Sequence, residues 1–232
     1  MEGHVRGQYE KEVAVVIGGN RGIGLEICKQ LAFKGVTVIL TARDEKRGVE
    51  AVKILQRRGY PTSCFINRRH ECSGKARKDQ EAHHRPYDRA EECLRTNYHG
   101  TKIVTEAHLP LLHLSSHGRI VNITAHGGLL RELKKELNNI DGLSEERLDE
   151  LSELFLKDFK TGQLEPHGWL TEGGFPAYKV SKALLNAYSR IIAKKHPTLC
   201  VNCVHPGFVS TDINFHNGDL TVEEGARGAL EN

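Results

Sequence analysis

Tyr178 and Lys182 stand four residues apart in "FPAYKVSKALLNAY" (175–188), a stretch that reads as the start of a helix. Four residues is a little over one helical turn, so the two side chains share a face and lie within reach of each other. A free tyrosine phenol titrates at about 10, too high to trade protons readily at neutral pH. A neighbouring ammonium favours the phenolate and lowers that value by about 1–3 units. Such a phenol can protonate a carbonyl oxygen as hydride arrives at the carbon, or act as the base in the reverse direction. The spacing equally suits plain helix surface, so the remaining parts of a reaction must be found elsewhere in the chain.

One of them is "GGNRGIG" at 18–24. Gly18, Gly22 and Gly24 bracket a turn that leaves an apolar run and enters a helix at its positive end. Without side chains there, main-chain amides and the helix dipole can approach a pyrophosphate. Glycines serving only a tight turn are the plainer alternative. Some twenty residues on, the second apolar run ends in "TARDEKR", where a dinucleotide with a free ribose hydroxyl usually meets an acid. Arg43 occupies that place and Asp44 is committed to capping the next helix. With Arg21 in the glycine turn, Arg43 favours a 2′-phosphate, hence NADP over NAD; a solvated surface charge is the simpler reading of Arg43.

The elements that must position these residues follow from periodicity. "KEVAVVIG" (11–18) predicts a short buried strand. Residues 22–34 predict a helix with Ile23, Ile27 and Leu31 on one stripe and Gly35 as its stop. "VTVIL" (36–40) predicts a second strand, and Asp44 caps a helix running to about Arg58, with Gly59 as terminator. That alternation is the pattern of a parallel sheet. "TSCFI" (62–66) suits a third strand. The segment 67–85 has no Val, Ile, Leu, Met, Phe, Tyr or Trp and reads as an irregular basic loop. From Tyr87 to about Ser115 runs one long helix, then a strand "GRIVNIT" (118–124). An acidic amphipathic helical insertion follows from about 130, then the Tyr178 helix, the strand "LCVNCVH", a loop and one more short helical piece.

With 232 residues, one domain with a sizeable core is the expectation. Lys plus Arg is 33 against Asp plus Glu 30, a net +3, which argues against a dedicated nucleic-acid binder. The first twelve residues lack an apolar stretch, and the longest apolar runs are far too short to span a bilayer, so a cytoplasmic protein with no membrane partner is expected. The six cysteines then read as reduced thiols. "CVNC" (200–203) lies in a strand-like run whose i and i+3 residues face opposite ways, and the His/Cys positions at 70–72 and 83–84 lack apolar neighbours to fix ligands, so no metal site is expected.

The ordered series "GGNRGIGLEICKQLA", "VILTARDEKRG", "AEECLRTNYHGTK", "GRIVNIT", "AYKVSKALLNAY", "NCVHPGFVSTDIN" and "TVEEGA" resembles the short-chain dehydrogenase/reductase superfamily, and within it the plant branch of salutaridine and menthone/neomenthol reductases. The resemblance spans about 12–66 and 86–228. It implies a doubly wound, Rossmann-like parallel sheet in a single α/β domain over 1–232, and a soluble NADP-dependent oxidoreductase acting on a small apolar, terpenoid-like ketone or alcohol. Tyr178 and Lys182 would be the catalytic pair, and Asn97 would hold the water that relays protons to the lysine. Gly18, Asn20, Arg21, Gly22, Ile23 and Gly24 would cradle the cofactor, with Arg43 near the ribose and Tyr178 and Lys182 also contacting it. Pro206, Gly207, Val209 and Thr211 would line its nicotinamide side. The insertion at 130–172 resembles helices that cover the active site in this branch and accompany monomeric enzymes.

The chain departs from the family pattern in four places. Ile17 stands where a threonine braces the glycine turn. The usual fourth strand, with its Asn-Asn-Ala-Gly end, is missing, which should leave the first strand open or paired directly with the next one. Ala125 in "NITAHGG" replaces the serine that polarises the carbonyl, and Thr124 is one place off, facing the other way. The final strand and helix are also absent. A catalytically impaired nucleotide-binding member of the same family is therefore the competing reading.

Overall fold

The structure, a computed structural model, describes residues 12–60, 62–66, 86–125, 131–139 and 141–231. The segment 67–85 expected as a basic loop, with its His/Cys positions, lies outside the described residues, as does 126–130. The described residues group into two compact units, 12–66 with 206–231, and 86–205.

In the first unit, β1 (Val13–Ile17), β2 (Thr37–Ala42) and β3 (Thr62–Ile66) form a parallel sheet in the order β1-β2-β3, with Val13 opposite Thr37 and Val38 opposite Thr62. The crossovers α1 (Gly22–Phe33) and α2 (Glu45–Gln56) both cover one face, because successive right-handed connections in the same direction emerge on the same side. Their common core is Cys28, Ala32, Val38, Leu40, Ala51 and Leu55. α1 meets the sheet through Cys28 and Ala32, with Leu25 and Leu31 packed against them; Leu31 lies on the expected Ile23–Ile27–Leu31 line and Ile27 is buried, so the expected stripe is widened toward Cys28 and Ala32. Small residues there let the helix sit close to the strands. Asp44 caps α2 as predicted, accepting from the Arg47 amide at 3.0 Å, and Gly59 ends it at φ 78°.

β1 is half open rather than buried. Val13, Val15 and Ile17 are 58%, 42% and 56% exposed, and among the described residues β2 is the strand that pairs with it. Both crossover helices lie on the other face, and the strand expected to be missing would have stood at this edge. From residue 206 the chain forms a loop and a short 3₁₀ turn (Asp212–Asn214), then α8 (Val222–Glu231), which packs on α1.

The second unit holds β4 (Arg119–Ile123) and β5 (Cys200–Val204), parallel, with Arg119 opposite Cys200. α7 (Pro176–Lys195) is its central helix, burying Val180, Leu184, Leu185, Tyr188, Ile191 and Ile192. The long helix expected from Tyr87 is α3 (Pro86–Leu94) and α4 (Gly100–Leu112), joined without a break by a π-helical turn at Arg95–His99. The insertion is two helices, α5 (Arg131–Asn138) and α6 (Glu145–Thr161). Ser144 caps α6, Gly162 ends it in the left-handed conformation, and Leu148, Leu151 and Phe155 bury its inner face against α3 and α7.

Candidate active site

The glycine turn lies wholly within the first unit. Gly18 and Gly22 have φ of 74° and 53°, values that favour glycine. A Cβ on Gly24 would stand 2.5 Å from the Gly18 carbonyl oxygen, and one on Gly19 would meet Cys28 Sγ at 2.7 Å. The turn is thus folded tightly onto the start of α1 and against the sheet. Arg21 is the N-cap of α1 and its side chain has no acceptor to offer; no side-chain cap is made and the first turn has no acid. The leading amides of α1 are left to a ligand with negative charge, which fits the pyrophosphate of a dinucleotide.

The brace thought lost with Ile17 comes from the next strand. The Gly18 amide donates to Thr41 Oγ1 at 3.3 Å and the Gly19 amide to the Thr41 carbonyl at 3.2 Å. Sequence reasoning missed Thr41, because its role depends on the β1–β2 register that puts it beside Ile17. Arg43 is exposed just beyond β2, Asn20 stands in the turn, and Ile23 lies in the first turn of α1. Thr211 lies against the turn, its methyl 3.6 Å from the place of a Gly22 Cβ. Val209 is 5% exposed and packs on Gly225 of α8, so what it can offer a ligand is main chain. Pro206 and Gly207 precede it, Gly207 at φ 83°.

Tyr178, Lys182 and Asn97 come together in the other unit. Lys182 Nζ lies 5.8 Å from the centre of the Tyr178 ring and donates to the Ile123 carbonyl at the end of β4, at 2.8 Å. Phe175, before α7, takes φ 55° after Gly173 and Gly174 at φ 68° and 69°, and Pro176 opens the helix, so Tyr178 sits in its first turn. Asn97 lies in the π turn. Gly100, whose Cβ would crowd the Arg95 carbonyl at 3.1 Å, allows the wide turn to close by donating its amide to that carbonyl. Asn97 Nδ2 donates to Ser181 Oγ at 3.0 Å and to Cys93 Sγ at 3.4 Å. Ser181 and Cys93 had no assigned role in the sequence; the signal for both was their spacing, three residues after Tyr178 and four before Asn97.

The electrostatics correct one expectation. Burial pushes the Tyr178 phenol up from its usual value, with the Cys93 thiol adding to the effect. Burial likewise lowers Lys182, against a smaller opposing pull from Cys93 and Cys203. The ammonium that was to draw the phenol down is engaged by Ile123, and desolvation prevails. At neutral pH Tyr178 carries its proton, the form that can donate.

At the family's serine position Ala125 is partly exposed, while Thr124 beside it is 5% exposed and continues the ladder through its amide to the Val204 carbonyl at 2.8 Å. The two do face differently. Among the described residues no three His, Cys, Asp or Glu side chains converge as a metal site would need, and no helix is long and apolar enough to cross a membrane.

Residues 12–74 match the family model described as short chain dehydrogenase. The chain is 39% identical to short-chain dehydrogenase/reductase 1 of Saponaria officinalis, over 94% of this chain and 88% of the relative. It is 38% identical to (+)-neomenthol dehydrogenase of Arabidopsis thaliana, covering 92% and 88%. Its fold superposes on the solved structure of salutaridine reductase from Papaver somniferum with a TM-score of 0.82 at 34% identity, covering 95% of this chain and 94% of that one.

Proposed function

We propose the following for this chain, which belongs to the short-chain dehydrogenase/reductase family and has its Rossmann-like α/β fold: it is an NADP-dependent carbonyl reductase, or alcohol dehydrogenase in reverse, for a small apolar ketone of terpenoid character. The observation that carries the reading is the Tyr178–Lys182 pair tied through Ser181 to Asn97. Arg21 and Arg43 support NADP over NAD, and the named relatives support the substrate class. The charge balance and the family branch support a cytoplasmic monomer without nucleic-acid or membrane partners.

Gly18, Asn20, Arg21, Gly22, Ile23 and Gly24 hold the pyrophosphate end, Arg43 the 2′-phosphate, and Pro206, Gly207, Val209 and Thr211 the nicotinamide end. A bound reduced nicotinamide would supply the hydride. Tyr178 gives its phenolic proton to the carbonyl oxygen as charge develops there, so that an O–H bond breaks on the enzyme and one forms on the product. Lys182 stabilises the phenolate that remains and contacts the ribose, and Asn97 holds the water that returns a proton toward Lys182. The insertion at 130–172 covers the substrate.

Purified protein mixed with NADPH and a panel of cyclic ketones should consume NADPH, read at the absorbance of the reduced ring. Ala125→Ser should raise the rate about 10²–10³-fold, the usual worth of an oxyanion donor. No turnover in either form rejects the reading. A second reading, a nucleotide-binding member with little catalysis, is favoured by Ala125 and by the open face of β1. It predicts a melting temperature raised by NADPH with no turnover until the serine is restored.

A further inference from the structure

Ser181 lies between Tyr178 and Lys182 on α7 and has no exposed surface (0%). Its Oγ is 2.8 Å from the Tyr178 carbonyl oxygen and 3.0 Å from Asn97 Nδ2. A carbonyl can only accept, so the single hydroxyl proton of Ser181 is spent on Tyr178. The lone pairs left on Oγ then require a donor. That selects the amino end of the Asn97 amide over its oxygen, and Cys93 Sγ at 3.4 Å takes the same group from the other side. The direction of the amide is thereby fixed from α7. Asn97 itself stands in the π turn, a single wide turn set between two α-helices.

We propose that Ser181 is a positioning residue: its buried hydroxyl locks the Asn97 amide, and with it the π turn, onto the helix that presents Tyr178 and Lys182. The kinetic part of this proposal rests on the oxidoreductase reading above; the structural part does not.

The molecule contains its own control. Further along α7, Ser189 is 3% exposed, donates to the Leu185 carbonyl at 2.8 Å and accepts from Asn122 Nδ2 at 2.9 Å. This is the same amide–hydroxyl–carbonyl latch, joining β4 to α7 about three turns away from Tyr178. A serine that matters only for packing would behave alike at both positions.

The test compares the full chain with Ser181→Ala and Ser189→Ala. With ¹⁵N-labelled asparagine, the Asn97 side-chain signals are assigned by their disappearance in Asn97→Ala. They should be well dispersed and slow to exchange in the parent and in Ser189→Ala, and collapse toward free-amide values in Ser181→Ala. In NADPH-dependent ketone reduction, Ser181→Ala should lower kcat about 10–100-fold with KM changed by less than about twofold, the mark of misplaced machinery with binding intact. Ser189→Ala should hold both constants near the parent values. An unchanged Asn97 signal in Ser181→Ala, an unchanged kcat, or an equal loss in Ser189→Ala overturns the proposal. If the parent and Ala125→Ser forms show no turnover, the function reading falls by itself, and the amide spectrum alone then upholds or overturns the role of Ser181.

Discussion

Two lysines make equally short ion pairs in very different surroundings, and comparing them tests what holds the α6 insertion in place. Lys102 of α4 lies 2.9 Å from Asp149 and 3.4 Å from Glu145, both on α6, and its side chain is 17% exposed, with Glu145 at 12%. Lys194 of α7 lies 2.7 Å from Asp141, but the side chains are 54% and 92% exposed. Distance predicts equal worth; burial does not. Lys102→Met keeps the apolar stem and removes the charge. Breaking a fully buried pair costs about 3–5 kcal/mol, because a charge is left without its partner. Here Glu145 keeps Lys195 at 2.5 Å and Asp149 keeps the Tyr98 hydroxyl at 2.8 Å, so we expect less. About 2–3 kcal/mol, at about 2–4 °C per kcal/mol for a chain of this size, gives a fall in Tm of roughly 4–12 °C. Lys194→Met, whose partner Asp141 is fully exposed, should lower Tm by no more than a few degrees.

The pH dependence has a definite sign. Lys102 loses some affinity for its proton to burial, but Asp149 and Glu145 outweigh this and raise it above the ordinary 10.5. A raised lysine contributes stability that is complete below 10.5 and lost as pH climbs through the folded value. Burial opposes ionisation of Glu145, yet Lys195 and Lys102 hold it below the ordinary 4.5, so its share is present above 4.5 and lost as acid titrates the folded form. The Tm difference between parent and Lys102→Met, followed by circular dichroism, should therefore be flat from about pH 6 to 9 and shrink at both ends. Equal shifts for the two lysines, or a Lys102→Met shift of under about 1 °C, would refute burial as the deciding factor.

Gly24→Ala drives a Cβ into the Gly18 carbonyl at 2.5 Å, so the rise in Tm that NADPH gives the parent should be absent, as thermal shift would show. Thr41→Val removes the oxygen that receives the Gly18 amide and should weaken NADPH binding several-fold, about 1 kcal/mol, by calorimetry. Trp169 is the one tryptophan, and its Nε1 donates to Asp158 at 2.8 Å. Burial of that carboxylate is outweighed by Trp169 and His167, which hold it below its ordinary 3.8. Its contribution is present above 3.8 and lost as pH falls through the folded value, so tryptophan fluorescence should stay constant to about pH 4 and change below it, with the change missing in Asp158→Asn.

How far the sequence reached follows from what each element depends on. β1, α1, β2 and α2 were legible because their signals are local: β-branched runs, an aspartate cap, glycine stops. The glycine turn and the Tyr178–Lys182 pair were legible for the same reason, since each is complete within a few residues. What the sequence hid is whatever depends on a partner from another element. Thr41 braces the glycine turn only because register sets it opposite Ile17. Val13, Val15 and Ile17 read as a buried strand because their composition is that of one. Their exposure is a matter of which strands and helices stand beside them, and no residue of β1 carries that information. Tyr178 shows the same limit in electrostatic form. Spacing brought Lys182 within reach, but Ile123, at the end of β4, engages the ammonium, and burial then decides the sign of the phenol's shift. A motif thus places Tyr178 and Lys182 on one face, while residues that no motif names, Ile123 and Cys93 among them, surround the pair and bear on its protonation.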